Sequence, residues 1–182
     1  MPKCVLGITG SIAAYKAAVI ASSFKKKGLE VRTVFTDAAC RFITPLTLKT
    51  VTEDLTYTGL WDNSDFDNHT HLSKWADFII VAPATANTIS KIANGIADNL
   101  LSTLILDFKG PVFIVPAMHE NIWENFAVQR NVKILIDNGF YFIGPIQGDL
   151  AGGKQGIGRM VEPQEVTATA LSILAEKYPA IN

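Results

Sequence analysis

The stretch Phe78–Leu101, FIIVAPATANTISKIANGIADNLL, decides the fold. An apolar run from Phe78 to Ala82 stops at Pro83, and the small polar residues Thr85, Asn87 and Thr88 follow at once. Ile89, Ile92, Ala93, Ile96, Ala97, Leu100 and Leu101 then recur at helical spacing, which predicts one helix from Asn87 to about Thr103. A buried strand that runs into a helix N-terminus furnished with hydroxyls and amides is where α/β proteins hold anionic or polar ligands.

Working outward, the same alternation repeats. Cys4–Ile8 reads as a buried strand ending at the turn Thr9-Gly10-Ser11, and a helix follows from Ile12 to Lys27 with Gly28 as its stop. Glu30–Phe35 is a second strand, followed by Thr36-Asp37-Ala38, a helical turn, and a short helix opened by Pro45. The region Leu55–Asn68 is polar and gives no clear element. Pro111–Val115 and Tyr141–Ile143 read as further strands, with a loop at Pro116–Met118 and a helix to Asn138 between them. Gly144–Gly158 is glycine-rich and reads as a mobile loop, and Pro163 opens a last helix to Lys177. Strands alternating with helices predict an α/β fold: a doubly wound, open parallel sheet, Rossmann-like, with helices on both faces. All the suggestive loops leave one edge of that sheet: Thr9–Ser11, Thr36–Ala38, Pro83–Thr88 and Pro116–His119.

The whole chain narrows the choices. Its 182 residues suit one domain, 1–182, with a core large enough to need no disulfide or metal. A formal net charge of −1 argues against a nucleic-acid binder that relies on bulk positive charge. No apolar run is long enough to span a membrane, and no secretory signal is expected. Cys4 and Cys40 sit far apart and make no metal-ligand pair, so no metal and a reducing cytoplasm are the default expectations. Neither GxGxxG nor GxxxxGK[ST] occurs, so the usual dinucleotide and nucleoside triphosphate signatures are absent. Gly10 and Ser11 can still offer N–H groups and a hydroxyl to a phosphate, although ordinary turn chemistry explains them as well. Thr85 and Asn87 can equally be helix caps, a role compatible with ligand binding.

Six segments taken together add a resemblance. They are GSIAAYK (10–16), FITPLT (42–47), HTHLSKWAD (69–77), PATANT (83–88), PAMHENIW (116–123) and GDLAGGKQGIGRMVEP (148–163). In that order they resemble the motifs of the flavin-dependent cysteine decarboxylases, which include phosphopantothenoylcysteine decarboxylases and epidermin-type peptide decarboxylases. PATANT matches the family's PASANT element with Thr for Ser, and HTHLSKWAD resembles HIxLxxWAD. The resemblance implies FMN as cofactor, with Gly10, Ser11, Ile12, Thr36, Ala38, Thr85, Ala86, Asn87, Thr88 and Ala117 as its contacts. It implies His69 as the catalytic histidine, placed in a polar loop and matched by its spacing to Leu72 and Trp75-Ala76-Asp77. His71 reads as peripheral. His119, Leu150, Ala151 and Met160 are the implied substrate contacts.

The implied reaction is decarboxylation of the cysteine moiety of 4′-phosphopantothenoylcysteine, giving 4′-phosphopantetheine in coenzyme A synthesis. Oxidation of the thiol-bearing carbon to a thioaldehyde precedes loss of carbon dioxide, and reduction of the resulting enethiol completes it. Two departures matter. His119 stands where the family's PxMN element has a substrate-clamping asparagine, and it can also be read as a plain helix cap. Gly152 stands where the ACG element has the cysteine that donates a proton in the reductive step. A peptidyl-cysteine decarboxylase that stops at the enethiol is therefore the alternative. Against it stands the retained GRMVEP segment. Flavin prenyltransferases share the fold but lack a clamp like Pro116–Trp123, and phosphatase-regulating relatives carry long acidic tails. The resemblance further implies a homotrimer, or a dodecamer of trimers, with flavin between subunits. It also implies a ligase domain on a separate partner enzyme, or a shortened chain.

Overall fold

The computed structural model describes residues 1–61, 68–150, 153 and 155–181. In chain order the elements are β1 (Lys3–Ile8), α1 (Lys16–Lys26), β2 (Glu30–Phe35), α2 (Pro45–Thr52), β3 (Thr56–Tyr57), α3 (Asn68–Trp75), β4 (Phe78–Ala84), α4 (Ala86–Ala93), α5 (Leu100–Asp107), β5 (Val112–Pro116), α6 (Glu120–Trp123), α7 (Phe126–Asp137), β6 (Tyr141–Phe142), β7 (Ile146–Asp149), β8 (Gln155–Arg159) and α8 (Pro163–Lys177).

β1 to β6 form one parallel sheet in the order β3-β2-β1-β4-β5-β6. The doubly wound expectation is met. The chain builds outward one way from β1 and the other way from β4, so the strand order reverses between these two strands. Their carboxyl ends therefore diverge and leave a crevice, the usual ligand position in such sheets.

Helices cover both faces, so the central strands are apolar on both. Every residue of β4 is buried. Alternate side chains go to opposite cores. Phe78, Ile80 and Ala82 join Leu6, Ile8, Phe24 and the α8 residues Val166 and Ala170. Ile79, Val81 and Ala84 join Val5, Leu72, Ile89, Leu101 and Leu104. Phe24, Phe78, Phe113 and Tyr141 run through the first core, with successive ring centroids at 5.8, 6.1 and 5.2 Å. On the other face Gly7 lets α5 lie close to the sheet, because a Cβ there would meet Leu101 Cδ1 at 2.5 Å.

Four expectations change. The single helix from Asn87 to Thr103 is two, α4 and α5. Asn94 ends α4, Gly95 takes a left-handed φ of 67°, and a reciprocal Asn99–Ser102 capping box starts α5 afresh. The helical spacing continued through Ile96 by coincidence, and that side chain is exposed. The helix expected to run to Asn138 is likewise divided, with Asn125 capping α7 by accepting from the Ala127 N–H at 2.9 Å. Asn68–Trp75, read as loop, is the helix α3. The glycine-rich segment read as a mobile loop contains the antiparallel ribbon β7–β8.

Candidate functional site

The loops after β1, β4 and β5 meet at the crevice and are fastened to one another by their backbones. Thr9, only 1% exposed, is the tie between the first two. Its hydroxyl donates to the Pro83 carbonyl at 2.7 Å and accepts from the Thr85 N–H at 3.1 Å. The Ala117 N–H donates to the Ala84 carbonyl at 3.1 Å, which fixes the third loop against the second. Gly10 is in van der Waals conflict with any larger residue, since an added Cβ would lie 2.4 Å from the Ala38 Cβ.

Ser11 has extended backbone and caps the 3-10 turn Ile12–Tyr15, accepting from the Ala13 N–H at 3.3 Å. Thr85 caps α4 by accepting from the Thr88 N–H at 3.4 Å. Both helical starts lie at the crevice, and helix N-termini suit anions. Asn87 is exposed there, and its amide makes no hydrogen bond among the described residues.

The ribbon β7–β8 closes the other side. Together these parts enclose a cleft of about 860 Å³. Gly10, Ser11, Ile12, Thr85, Ala86, Asn87 and Ala117 line it, as do His119, Leu150 and Met160. Three expected cofactor contacts adjoin these lining residues. Ala38 packs on Gly10, the Thr36 hydroxyl donates to the Ile8 carbonyl at 3.4 Å, and Thr88 is buried beside Thr85. Ala151, the remaining expected substrate contact, and Gly152 lie outside the described residues. His119 precedes α6 but its side chain makes no capping bond, so helix capping does not account for it.

The family model described as "Flavoprotein" matches residues 1–174. The chain belongs to the flavoprotein family. It is 41% identical over 178 residues to the coenzyme A biosynthesis bifunctional protein CoaBC of Bacillus subtilis, an alignment covering 97% of this chain and 44% of that protein. The chain thus spans less than half the length of that curated relative. A mutant PPC decarboxylase complexed with pantothenoylaminoethenethiol superposes with a TM-score of 0.86 at 33% identity, covering 96% of this chain and 98% of the other. The FMN-dependent cysteine decarboxylase SpaF superposes at 0.81 with 30% identity, covering 96% and 98%. Within the flavoproteins, the chain therefore falls among the flavin-dependent cysteine decarboxylases.

The family's cleft in this chain carries charges that the sequence reading passed over. Lys16 is only 7% exposed, and its ammonium donates to the Met160 carbonyl at 3.3 Å and to Glu162 Oε1 at 2.9 Å. Arg159 donates to the same Glu162 oxygen at 2.8 Å. Hydrogen bonds from Lys16 and then Arg159 hold the Glu162 carboxyl below its ordinary pKa. Lys16 and Arg159 face the cleft with Asp149 as the opposing acid. Lys16 had a usable signal: it is a lone cation inside an apolar helical run from Ile12 to Ala21.

His69 is not part of the cleft of its own chain. It sits half-buried on α3, which packs on α5 and meets β2 through Arg32. The Arg32 guanidinium stacks 4.1 Å from the Trp75 ring centre and lies 3.0 Å from the His71 Nε2. His71, read as peripheral, is thus a partner of Arg32. Neither cysteine lines the cleft, and burial pushes the Cys4 thiol well above its ordinary pKa. Among the described residues no cluster of His, Cys, Asp and Glu is placed to hold a metal, and no helix is long and apolar enough to cross a membrane.

Proposed function

We propose that this chain is an FMN-dependent carboxy-lyase that decarboxylates the cysteine moiety of 4′-phosphopantothenoylcysteine to give 4′-phosphopantetheine. The observation that carries the reading is the cleft itself. A rim of small residues and helix N-termini faces a ribbon that carries Arg159, with Lys16 of α1 beside it, at the switch point of a flavoprotein sheet.

The rim fits FMN. Gly10, Ala86 and Ala117 allow close approach of a flat ring, Ser11 and the two helix starts suit a phosphate, and the unpartnered Asn87 amide supplies a polar contact. A cleft of about 860 Å³ is of cofactor-pocket size. When bound, FMN supplies the two-electron chemistry at the thiol-bearing carbon that the side chains lack. Gly10, Ser11, Ile12, Thr85, Ala86, Asn87 and Ala117 would hold it, with Thr36, Ala38 and Thr88 adjoining them.

The chain's own residues do the rest. His119 and the ribbon residues Leu150 and Met160, with Ala151, receive the substrate. The cations Lys16 and Arg159 favour its carboxylate and phosphate over neutral molecules of the same shape. His69 moves the proton at the substrate's thiol-bearing carbon, and it reaches the cleft from a second copy of the chain. Exposed Ile12, Tyr15 and Phe42 at the cleft mouth support such a neighbour, because apolar surface beside a ligand site favours cover. A homotrimer, or a dodecamer of trimers, follows from this reading. So do a cytoplasmic location and a single flavoprotein domain, 1–182, working with a ligase that makes its substrate. Peptidyl-cysteine decarboxylation, the alternative, rests on Gly152 alone.

Mass spectrometry of the purified protein with phosphopantothenoylcysteine tests the function. Loss of carbon dioxide alone is the expected change. Loss of two further hydrogens would identify an enethiol product, and turnover confined to C-terminal cysteine peptides would replace the reading with the alternative. His69→Asn should lower the decarboxylation rate by roughly 10²–10⁴-fold while flavin stays bound. Mixing it with a flavin-deficient Gly10→Val variant should restore part of the activity, and failure to do so would oppose a site built from two copies.

A further inference from the structure

The ribbon is an antiparallel pair with a bulge at Gly158: Ile146 pairs with Arg159 while Gln147 pairs with Ile157. One edge of β8 is thereby turned away from β7, and its polar groups need partners elsewhere. The segment carrying His119 provides them. The Met118 N–H donates to the Gly158 carbonyl at 3.0 Å, and Glu120 Oε1 accepts from the Ile157 N–H at 3.1 Å. Two glycines make room for this seat. A Cβ on Gly158 would lie 2.1 Å from the Met118 carbonyl oxygen, and one on Gly156 would lie 2.6 Å from Glu120 Oε1. His119 is therefore flanked on both sides by residues that grip the ribbon.

We infer that Glu120 is a positioning residue, a carboxylate latch that holds the ribbon wall at a fixed distance from His119 and so sets the affinity for substrate. Glu120 does not itself line the cleft, so it acts through β8. Of the ribbon's attachments, the Met118 bond is backbone to backbone and insensitive to side-chain identity. Glu162 holds the ribbon's base at Arg159, and Glu120 is the attachment beside His119 that a substitution can release. The glycine at 156 is a requirement of the same latch: the atoms a methyl would strike are the free end of a flexible side chain. Gly156→Ala thus displaces the carboxylate more readily than it unfolds the chain.

The test uses the flavin-loaded protein, and its kinetic arm rests on the decarboxylase reading above. A hydrogen bond to a charged acceptor predicts that Glu120→Ala raises KM about 10-fold with kcat nearly unchanged, and speeds exchange of the Ile157 amide by about 10-fold or more. Glu120→Gln keeps an acceptor oxygen and should restore most of both. Gly156→Ala alone should reproduce the Glu120→Ala effect, yet add nothing in the Glu120→Ala background, because the atom it strikes is gone. Unchanged Ile157 exchange in Glu120→Ala, no rescue by glutamine, additive effects of the two substitutions, or loss of kcat at unchanged KM would each overturn the latch. Absence of any turnover by the unsubstituted protein would instead sink the decarboxylase reading, and exchange at Ile157 in the same variants would still decide the latch.

Discussion

On one side of the cleft, the rim at Thr9–Ser11, Ala84–Asn87 and Ala117 hangs from the central strands β1, β4 and β5. Two of its ties are buried, the Thr9 hydroxyl bridging Pro83 and Thr85 and the Ala117–Ala84 bond, and Gly10 packs on the exposed Ala38 beside them. On the other side, the ribbon β7–β8 belongs to no larger sheet and buries few side chains. It is held by the carboxylates of Glu120 and Glu162, the second of them half exposed. Buried neutral hydrogen bonds are costly to leave unmade, whereas exposed ion pairs are cheap to lose. The difference teaches that the cofactor wall is part of the folded core, while the substrate wall is an attachment whose chemistry can vary without disturbing the fold.

The largest expected effect tests the rim. Thr9→Val keeps the shape but leaves the Pro83 carbonyl and Thr85 N–H without partners in a buried place, at a cost of about 2–4 kcal/mol. Chemical denaturation measures this, and bound flavin should fall in parallel. A loss comparable to that of a surface substitution would break the comparison. Next comes Gly10→Ala, whose overpacking against Ala38 should cost about 1–3 kcal/mol, part of it regained by Ala38→Gly in the same chain. Rescue would sharpen the view that Ala38 shapes the rim through its contact with Gly10.

The smallest effect concerns the ribbon. Glu162→Gln should lower stability near neutrality by about 1 kcal/mol, since Glu162 is half exposed and the glutamine keeps an oxygen for the buried Lys16 ammonium. The pKa of Glu162 is lower folded than unfolded, so its contribution is present above the unfolded value of about 4.3 and is lost as pH falls through the folded one. Thermal scans of the two proteins should therefore converge in acid. Divergence below that range would contradict the ion-pair account of the ribbon's base.

What the sequence determined by itself is local. Continuous apolar runs at Cys4–Ile8 and Phe78–Ala82 announce strands buried on both faces, Gly28 and Gly139 end helices, Pro45 and Pro163 open them, and the Thr85 cap marks a ligand-facing helix start. Those signals reside within a few residues, and they sufficed for the fold class, whereas the expected cofactor and substrate contacts came from the family motifs, and ten of them line the cleft. The six motifs extended the reading to a family without placing any atom.

The rest depended on contacts between distant segments, which no local pattern encodes. Ile96 continues a helical spacing in a segment that Gly95 has already ended. Gly144–Gly158 lacks apolar alternation because the ribbon is paired only to itself and seated on Met118–Glu120. Asn68–Trp75 becomes a helix where Arg32, far away in sequence, stacks on Trp75. Only the packed sheet set Ala38 against Gly10, drew Lys16 and Arg159 together on Glu162, and set His69 outside its own cleft. Burial and charge pairing are properties of the assembled molecule, and they are what turned a legible fold into a particular site.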